Sequence, residues 1–248
     1  MTSTTKQRMA KTLIVENWKD RAKEIGSVLE SLGKKYDKLE AYAAIQESDI
    51  VNFNLSGYNS IILTGSPFYM RQINEQPFIG WEMKFIKKAL ESKKPILGVC
   101  FGHQILSTVL KGKSFSSEYP ERGLCKVTLT KDGLNDGLFT EMPQEFYVFQ
   151  YHSDEVSITK DEVKLLAYSD KIPVQAISSR KYPAWGIQCH PEINKELGIW
   201  IIKEERRKKL EKEGYEIEKL VANLEKNYNP VIRKKIYKNF LDLSKEYQ

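Results

Sequence analysis

Three cysteines and three histidines in 248 residues leave little material for a disulfide framework or a soft-metal centre. Cys100, Cys125 and Cys189 lie far apart, and no Cys/His cluster has the spacing of a zinc site, so no metal is expected. A glycine-rich phosphate loop is also missing, which argues against a nucleotide or other cofactor. No apolar run approaches the roughly 18 residues a transmembrane helix needs, so no membrane span is expected. Residues 1–11 are polar and lack an apolar core, which reads as a disordered N-terminal tail and not as a secretory signal. A few reduced thiols suit a cytoplasmic location. Charge of one sign is scarce too. Lys and Arg number 39 against 33 Asp and Glu, a net of +6, and the two signs are interspersed. Phosphate backbones call for an uninterrupted positive field, so nucleic acid is not an expected partner.

Apolar material, in contrast, is ample: 41% of residues are hydrophobic and 11% aromatic, enough for the core of one domain of 12–248. Short apolar runs predict strands at Leu13–Val15, Ile61–Leu63, Ile96–Val99, Cys125–Leu129, Phe146–Phe149, Val163–Ala167, Val174–Ile177 and Ala184–Cys189. Helical patterns fall near residues 18–32, 78–92 and 101–110. Strand–helix alternation through residue 110 predicts parallel pairing, and short turns such as Lys131-Asp132-Gly133 predict antiparallel strands later. The expected fold is α/β, an open, mostly parallel mixed sheet with helices on both faces. Residues 194–248 differ: 11 Lys and 3 Arg against 9 Glu and 1 Asp give a net of +4. Ile217, Leu220, Val221 and Leu224 recur at helical spacing, as do Ile232, Ile236 and Phe240. Asn194 and Asn229-Pro230 read as helix starts. This segment is expected to be a helical extension of two or three amphipathic helices laid on the domain, with the mixed-sign run Lys203 to Glu213 as a solvated face.

The richest stretch is residues 95–104, Pro-Ile-Leu-Gly-Val-Cys-Phe-Gly-His-Gln. A short strand meets a helix at a cysteine flanked by Gly98 and Gly102, the cysteine form of a nucleophile elbow. The N–H groups and dipole of the following helix favour a thiolate, so Cys100 reads as a nucleophile. The alternative is a buried structural cysteine in a turn. A nucleophile needs a base and a group to orient it. His103 follows three residues on in the helix and reads as a surface residue or one that supports the site from behind. His190 ends an apolar strand in His190-Pro191-Glu192, where alternation puts Glu192 on the same side as the imidazole. Ser60 to Pro67 is an apolar strand ending in a Gly-Ser-Pro turn, whose N–H groups, with that of Phe101, are candidates for an oxyanion hole.

These three pieces, in this order, resemble the class I (triad) glutamine amidotransferase domain: Thr64-Gly65-Ser66-Pro67, Gly98 to Gln104, and His190-Pro191-Glu192. Tyr151-His152-Ser153-Asp154-Glu155-Val156 resembles the family's His-x-Asp-Glu-Val stretch, and Lys238-Asn239-Phe240-Leu241 its closing Asn-Phe-Leu. Among subfamilies, the free-standing GMP-synthetase-like group, which includes plant γ-glutamyl peptidases, is the most similar. The resemblance implies Cys100, His190 and Glu192 as the catalytic triad and the N–H groups of Gly65 and Phe101 as the oxyanion hole. It places Ser66, Gln104, Tyr151, Ser153 and Asp154 at the substrate's glutamyl end. It implies cleavage of a γ-glutamyl amide through a thioester on Cys100, with no cofactor. Two positions depart from the family pattern: Thr64-Gly65-Ser66-Pro67 replaces the common Gly-Gly-Pro, and Cys189 precedes the histidine, where alternation turns it away from the site.

Three functions follow from the residues and the resemblance together. One is a hydrolase acting on glutamine or a small γ-glutamyl compound. Another is a glutaminase subunit that passes ammonia to a separate synthetase chain, since no ATP motif is present here. The last is a non-catalytic relative that binds a metabolite or a protein. The loops Phe68–Pro77 and Phe115–Gly123 carry no motif, and Phe68, Tyr69 and Met70 either line the acceptor side of the site or pack the first loop, packing being the expectation.

Overall fold

A computed structural model of the chain describes residues 11–247. The expected tail lies outside the described residues, except for Lys11, which opens the first strand. The first half alternates strand and helix: β1 (Lys11–Glu16), α1 (Arg21–Ser31), β2 (Lys35–Glu40), α2 (Ser48–Val51), β3 (Ser60–Leu63), α3 (Pro77–Glu91), β4 (Ile96–Val99) and α4 (Phe101–Val109). The second half is strand-rich: β5 (Lys113–Leu129), α5 (Lys131–Leu134), β6 (Glu145–Ser157), β7 (Val163–Tyr168), β8 (Ala176–Ser179) and β9 (Ala184–Ile187). The extension holds α6 (Lys195–Trp200), a π-helical turn (Ile201–Glu205), α7 (Arg207–Lys212), α8 (Ile217–Asn227) and α9 (Pro230–Leu243).

All these strands join one mixed sheet in the order β2-β1-β3-β4-β9-β8-β7-β5-β6. Pairing is parallel from β2 to β9 and antiparallel from β9 to β6. β1, β3, β4 and β9 are near-continuous apolar runs because helices cover both their faces. Leu13, Val15, Ile61, Leu63 and Ile96 point into a core with α3 and α4. Ile14, Ile62, Leu97 and Val99 point the other way, into a core with α1 and α9. The single-residue alternation of a strand thus feeds two cores from one sequence run.

Two expectations change. β2, Lys-Tyr-Asp-Lys-Leu-Glu, carries no apolar run because it is an edge strand, where lysines discourage pairing with a further strand. The expected loop Phe115–Gly123 is instead largely strand, the outer part of the long β5–β6 ribbon, with its register irregularity between Ser116 and Glu121. Its polar, solvated faces erase the alternation that would mark a strand.

The extension splits into two roles. α6 to α8 pack Ile201, Ile202, Leu210, Ile217, Val221 and Leu224 against Leu124 and Phe149 of β5 and β6. α9 buries Ile232, Ile236, Tyr237 and Phe240 in the core that also holds α1. The caps fall where the sequence puts them: Asn194 accepts from Leu197 N–H at 2.7 Å, and Asn229 accepts from Val231 N–H at 3.0 Å ahead of Pro230. Asn239 donates to the carbonyls of Leu138 and Thr140, each at 3.0 Å, which pins the end of α9. No helix among the described residues is long and apolar enough to cross a membrane.

One buried carboxyl sits under the turn after β3. Glu82 of α3 is fully buried, and Oε1 accepts from Asn17 Nδ2 at 3.2 Å while Oε2 has no partner. Burial pushes its pKa up to about 8, against the lowering effect of the Asn17 hydrogen bond, so Glu82 is neutral at pH 7. A carboxyl whose folded pKa is raised supports folding below its unfolded value near 4.5 and loses that support as pH rises to about 8. Glu82→Gln copies the neutral form. Urea unfolding of the two proteins is therefore expected to diverge in favour of the variant between pH 5 and pH 8, by several kcal/mol at about 1.36 kcal/mol per unit. A stability difference that does not change with pH would contradict a neutral Glu82.

Candidate active site

Cys100 occupies the turn between β4 and α4 with φ 52° and ψ −105°, a region a non-glycine residue enters only under strain. Backbone contacts hold it there: its N–H donates to Ile187 C=O at 2.8 Å, and its C=O accepts from Gln104 N–H at 3.0 Å. The turn needs glycines for space. A Cβ on Gly98 would collide with the Gly102 carbonyl, and one on Gly102 would lie 2.5 Å from the Leu63 carbonyl oxygen. Cys100 is the N-cap of α4, so the positive end of the helix dipole lies at the thiol.

His190 lies three residues past β9, the strand paired with β4, and its N–H donates to Phe149 C=O at 2.8 Å. Its Nδ1 is 2.6 Å from Glu192 Oε1, which leaves Nε2 to meet the Cys100 thiol. Burial alone would lower the imidazole pKa. The charges of Cys100 and Glu192, and the hydrogen bonds to both, outweigh burial and raise it to about 10. Glu192 is pulled upward by burial, but the facing His190 cation and a hydroxyl from α9 hold it below the usual carboxylate range. That hydroxyl is Tyr237 Oη, which donates to Glu192 Oε2 at 3.1 Å, while Arg233 Nε donates to the Glu192 carbonyl at 3.1 Å.

The turn after β3 closes on the same point. A Cβ built on Gly65 would lie 3.0 Å from His190 Cε1 and 3.6 Å from Cys100 Cβ, so a side chain there would press on the imidazole ring. Asn17 braces this turn, donating from N–H to Thr64 Oγ1 at 2.9 Å and from Nδ2 to Thr64 C=O at 3.0 Å. Ser66 uses its hydroxyl locally, donating to Asn17 C=O at 3.1 Å and accepting from Phe68 N–H at 3.1 Å. On the far side, Gln104 Nε2 reaches the Asp154 carbonyl and Gln188 Oε1, each at 3.3 Å. Asp154 is buried with its carboxylate on Arg71 Nη1 at 2.7 and 2.8 Å. Ser153 Oγ accepts from Arg122 Nη2 at 2.8 Å. Every residue named from the sequence, from Gly65 and Ser66 through Cys100, Phe101 and Gln104 to Tyr151, Ser153, Asp154, His190 and Glu192, lines one cleft of about 630 Å³.

Several neighbours were not legible as site residues. Gln188 Nε2 approaches Cys100 Sγ at 3.6 Å, and its place two residues before His190 was the available signal. Tyr237, Arg71 and Arg122 come from elements distant in the chain and carry no local signature. His103 is not on the helix surface. It is fully buried against Gly186 of β9, neither ring nitrogen has a partner, and burial together with the His152 charge lowers its pKa to about 3. Cys189 is buried in the core, and burial pushes its thiol well up. The run Lys203 to Glu213 is not only a solvated face: Glu205, Arg206 and Lys209 line the cleft, and Glu213 takes both Nε and Nη2 of the buried Arg122, at 2.9 and 3.1 Å. Phe68 packs edge-on against Trp18, ring centres 5.2 Å apart, and both line the cleft mouth.

Comparison with known proteins gives a family match, relatives by sequence and solved structures of like fold. The family described as glutamine amidotransferase class-I matches residues 13–201. The A subunit of GMP synthase (glutamine-hydrolyzing) from Methanocaldococcus jannaschii is 36% identical over 144 residues, 58% of this chain and 70% of that protein. Gamma-glutamyl peptidase 5 of Arabidopsis thaliana is 34% identical over 152 residues, 60% of this chain and 59% of that one. A crystal structure of a glutamine amidotransferase from Thermotoga maritima shares the fold with a TM-score of 0.79, at 21% identity, covering 95% of this chain and 97% of that one.

Tyr237 touches Glu192 and not the cleft, so it acts through the carboxylate's position and charge. Tyr237→Phe removes a donor that favours the ionised carboxylate, and Glu192 then takes up a proton at higher pH. The acid limb of the pH profile of kcat/KM, read as glutamate release from glutamine, is expected to shift upward by about one to two pH units, the scale of one hydrogen bond to a charged group, with the plateau above it largely kept. An unshifted profile would show that the Tyr237 contact does not tune Glu192.

Proposed function

The chain belongs to the class-I glutamine amidotransferase family, and on that premise we propose that it hydrolyses the γ-glutamyl amide of glutamine or a small γ-glutamyl compound, using Cys100 as nucleophile. One observation carries the reading: the strained, cleft-lining Cys100 faces a His190 whose other nitrogen is held by Glu192 at 2.6 Å. Nucleophile, base and orienting carboxylate thus stand in the relay that acyl transfer requires.

In this mechanism Cys100 Sγ gives its proton to His190 Nε2 and adds to the γ-carbonyl carbon. The developing oxyanion is taken by the N–H groups of Gly65 and Phe101. Collapse breaks the C–N bond while His190 Nε2 passes its proton to the leaving nitrogen, and a γ-glutamyl thioester remains. Water then gives a proton to His190 and attacks the thioester, the C–S bond breaks, and glutamate leaves. Glu192 keeps the ring turned throughout and stabilises its cation whenever the ring carries the proton. Gln104 and the backbone around Tyr151, Ser153 and Asp154 hold the glutamyl end, and the hydroxyl of Ser66 shapes the turn that carries Gly65.

A second reading, a glutaminase subunit feeding ammonia to a separate synthetase, is favoured by the 36% identity to the glutamine-hydrolyzing GMP synthase protein of Methanocaldococcus jannaschii. Both readings share the thioester chemistry. Cys100→Ala is expected to cut glutamate release from glutamine by at least about 10³-fold, since removing a triad nucleophile costs up to about 10⁶-fold. Equal rates for wild type and variant would sink both. Glutamate release that begins only when an ATP-dependent synthetase is added would favour the second reading.

A further inference from the structure

One carboxyl group in the core takes no part in the thioester chemistry. The inner face of α3 is otherwise apolar, with Phe78, Ile79, Phe85 and Ile86 buried beside Glu82. Stability alone would favour leucine or methionine at this position, since a buried polar group costs free energy unless it is hydrogen-bonded. Glu82 instead reaches Asn17, the residue after β1, where its Oε1 accepts from Asn17 Nδ2 at 3.2 Å.

Each of the two side chains keeps one buried oxygen, Glu82 Oε2 and Asn17 Oδ1, with no partner among the described residues. Two acceptors cannot satisfy each other. A neutral carboxyl, however, has one O–H donor, and an amide oxygen accepts it. A single proton on Glu82 Oε2, given to Asn17 Oδ1, satisfies both atoms and closes a two-bond pair with the Nδ2–Oε1 contact. The raised pKa of about 8, caused by burial, agrees with that proton being in place at neutral pH.

The remaining polar atoms of Asn17 hold the turn after β3. Its N–H and Nδ2 donate to Thr64 Oγ1 and Thr64 C=O, at 2.9 and 3.0 Å, and its C=O accepts from Ser66 Oγ at 3.1 Å. Thr64 C=O also accepts from Gly102 N–H at 3.1 Å. That carbonyl shares a peptide unit with the N–H of Gly65. The peptide is trans, so the two point in opposite directions, and whatever holds the carbonyl aims the N–H.

We infer that Glu82 is a positioning residue for the oxyanion hole: as a carboxylic acid paired with the Asn17 carboxamide, it fixes the Thr64 carbonyl and with it the direction of the Gly65 N–H. The inference rests on the γ-glutamyl hydrolase reading, in which that N–H meets the oxyanion. Glu82 does not line the cleft and acts only through Asn17.

The test measures glutamate release from glutamine in wild type, Glu82→Leu and Glu82→Gln, beside the rate at which iodoacetamide alkylates Cys100. Alkylation displaces iodide at a saturated carbon and forms no oxyanion, so it reports the thiol and the fold apart from the hole. In Glu82→Leu, kcat is expected to fall by about tenfold to 10²-fold, below the 10²–10³-fold cost of losing a whole oxyanion donor, with KM and the alkylation rate within about twofold of wild type. Glu82→Gln offers an N–H to Asn17 Oδ1 and a carbonyl to Nδ2, and is expected to keep kcat within about threefold of wild type. The infrared difference spectrum of wild type minus Glu82→Gln at neutral pH is expected to carry a carboxylic acid C=O band. This spectrum decides the proton's place even where Glu82→Leu does not fold. An unchanged kcat in Glu82→Leu, an equal fall in alkylation, a Gln variant as slow as the Leu variant, or carboxylate bands in place of the acid band each overturns the positioning role. Wild-type glutamate release that needs Cys100 keeps the hydrolase reading intact in all of these cases. Its absence overturns the hydrolase reading and the positioning role with it.

Discussion

The contact of the β4–α4 turn with the end of β3 is the constraint on which the site depends. Gly98 and Gly102 let the helix start directly against the strands, with the Gly102 backbone pressed on Leu63. Gly102 N–H donates to Thr64 C=O at 3.1 Å, which references the elbow to the turn that carries Gly65. Cys100 N–H donates to Ile187 C=O, which references it to β9 and to His190 beyond. Three chain segments therefore share one origin. The strain of the Cys100 backbone, on the order of 1–3 kcal/mol, is spread over these hydrogen bonds and the packing around them.

A second constraint couples the extension to the domain. Arg122 is buried, and its N–H donors meet the carbonyls of Glu121 and His152, the hydroxyl of Ser153 and the carboxylate of Glu213. A guanidinium taken out of water needs such compensation, and the anionic part of it comes from the end of α7. Docking of α7 and order in the 151–154 segment are thus linked through one cation. Tyr237 and Arg233 do the same from α9 at the other side of the cleft. The extension is a structural wall of the site as well as a cover on the sheet.

The parts of this arrangement that were legible in the sequence are those set by short-range rules. Ile96–Val99 and its helix read correctly to within a residue because an apolar run, two glycines and a helical pattern abut. His190 and Glu192 were legible because proline and alternation fix where two side chains two apart must point. β2 and the outer ribbon of β5 and β6 were not, since edge and ribbon strands bury too little to show a pattern. Gln188, Tyr237 and Arg122 were not assigned either, because their roles depend on partners 88, 45 and 91 residues away. The charged run at Lys203 to Glu213 misleads for the same reason: composition reports that it is polar, and only the fold reports that part of it faces a cleft.

His103 and His190 isolate what sets the charge of a buried imidazole. Both stand within a few residues of chemistry-bearing cysteines or carboxylates in sequence, and desolvation alone would lower the pKa of both. His103 meets no acceptor and sits near the His152 charge, so burial decides and the ring stays neutral down to about pH 3. His190 lies between a sulfur and a carboxylate, so the same burial is overruled and the ring holds its proton to about pH 10. Tyr237 then completes the string by donating to the carboxylate oxygen that the ring does not use. The imidazolium is bounded by the carboxylate, and the carboxylate by the imidazolium and a phenol donor, and this alternation lets a protein interior keep an ionised His190–Glu192 pair. Without Glu192 and its phenol, the low dielectric that strengthens the pair would instead discharge it.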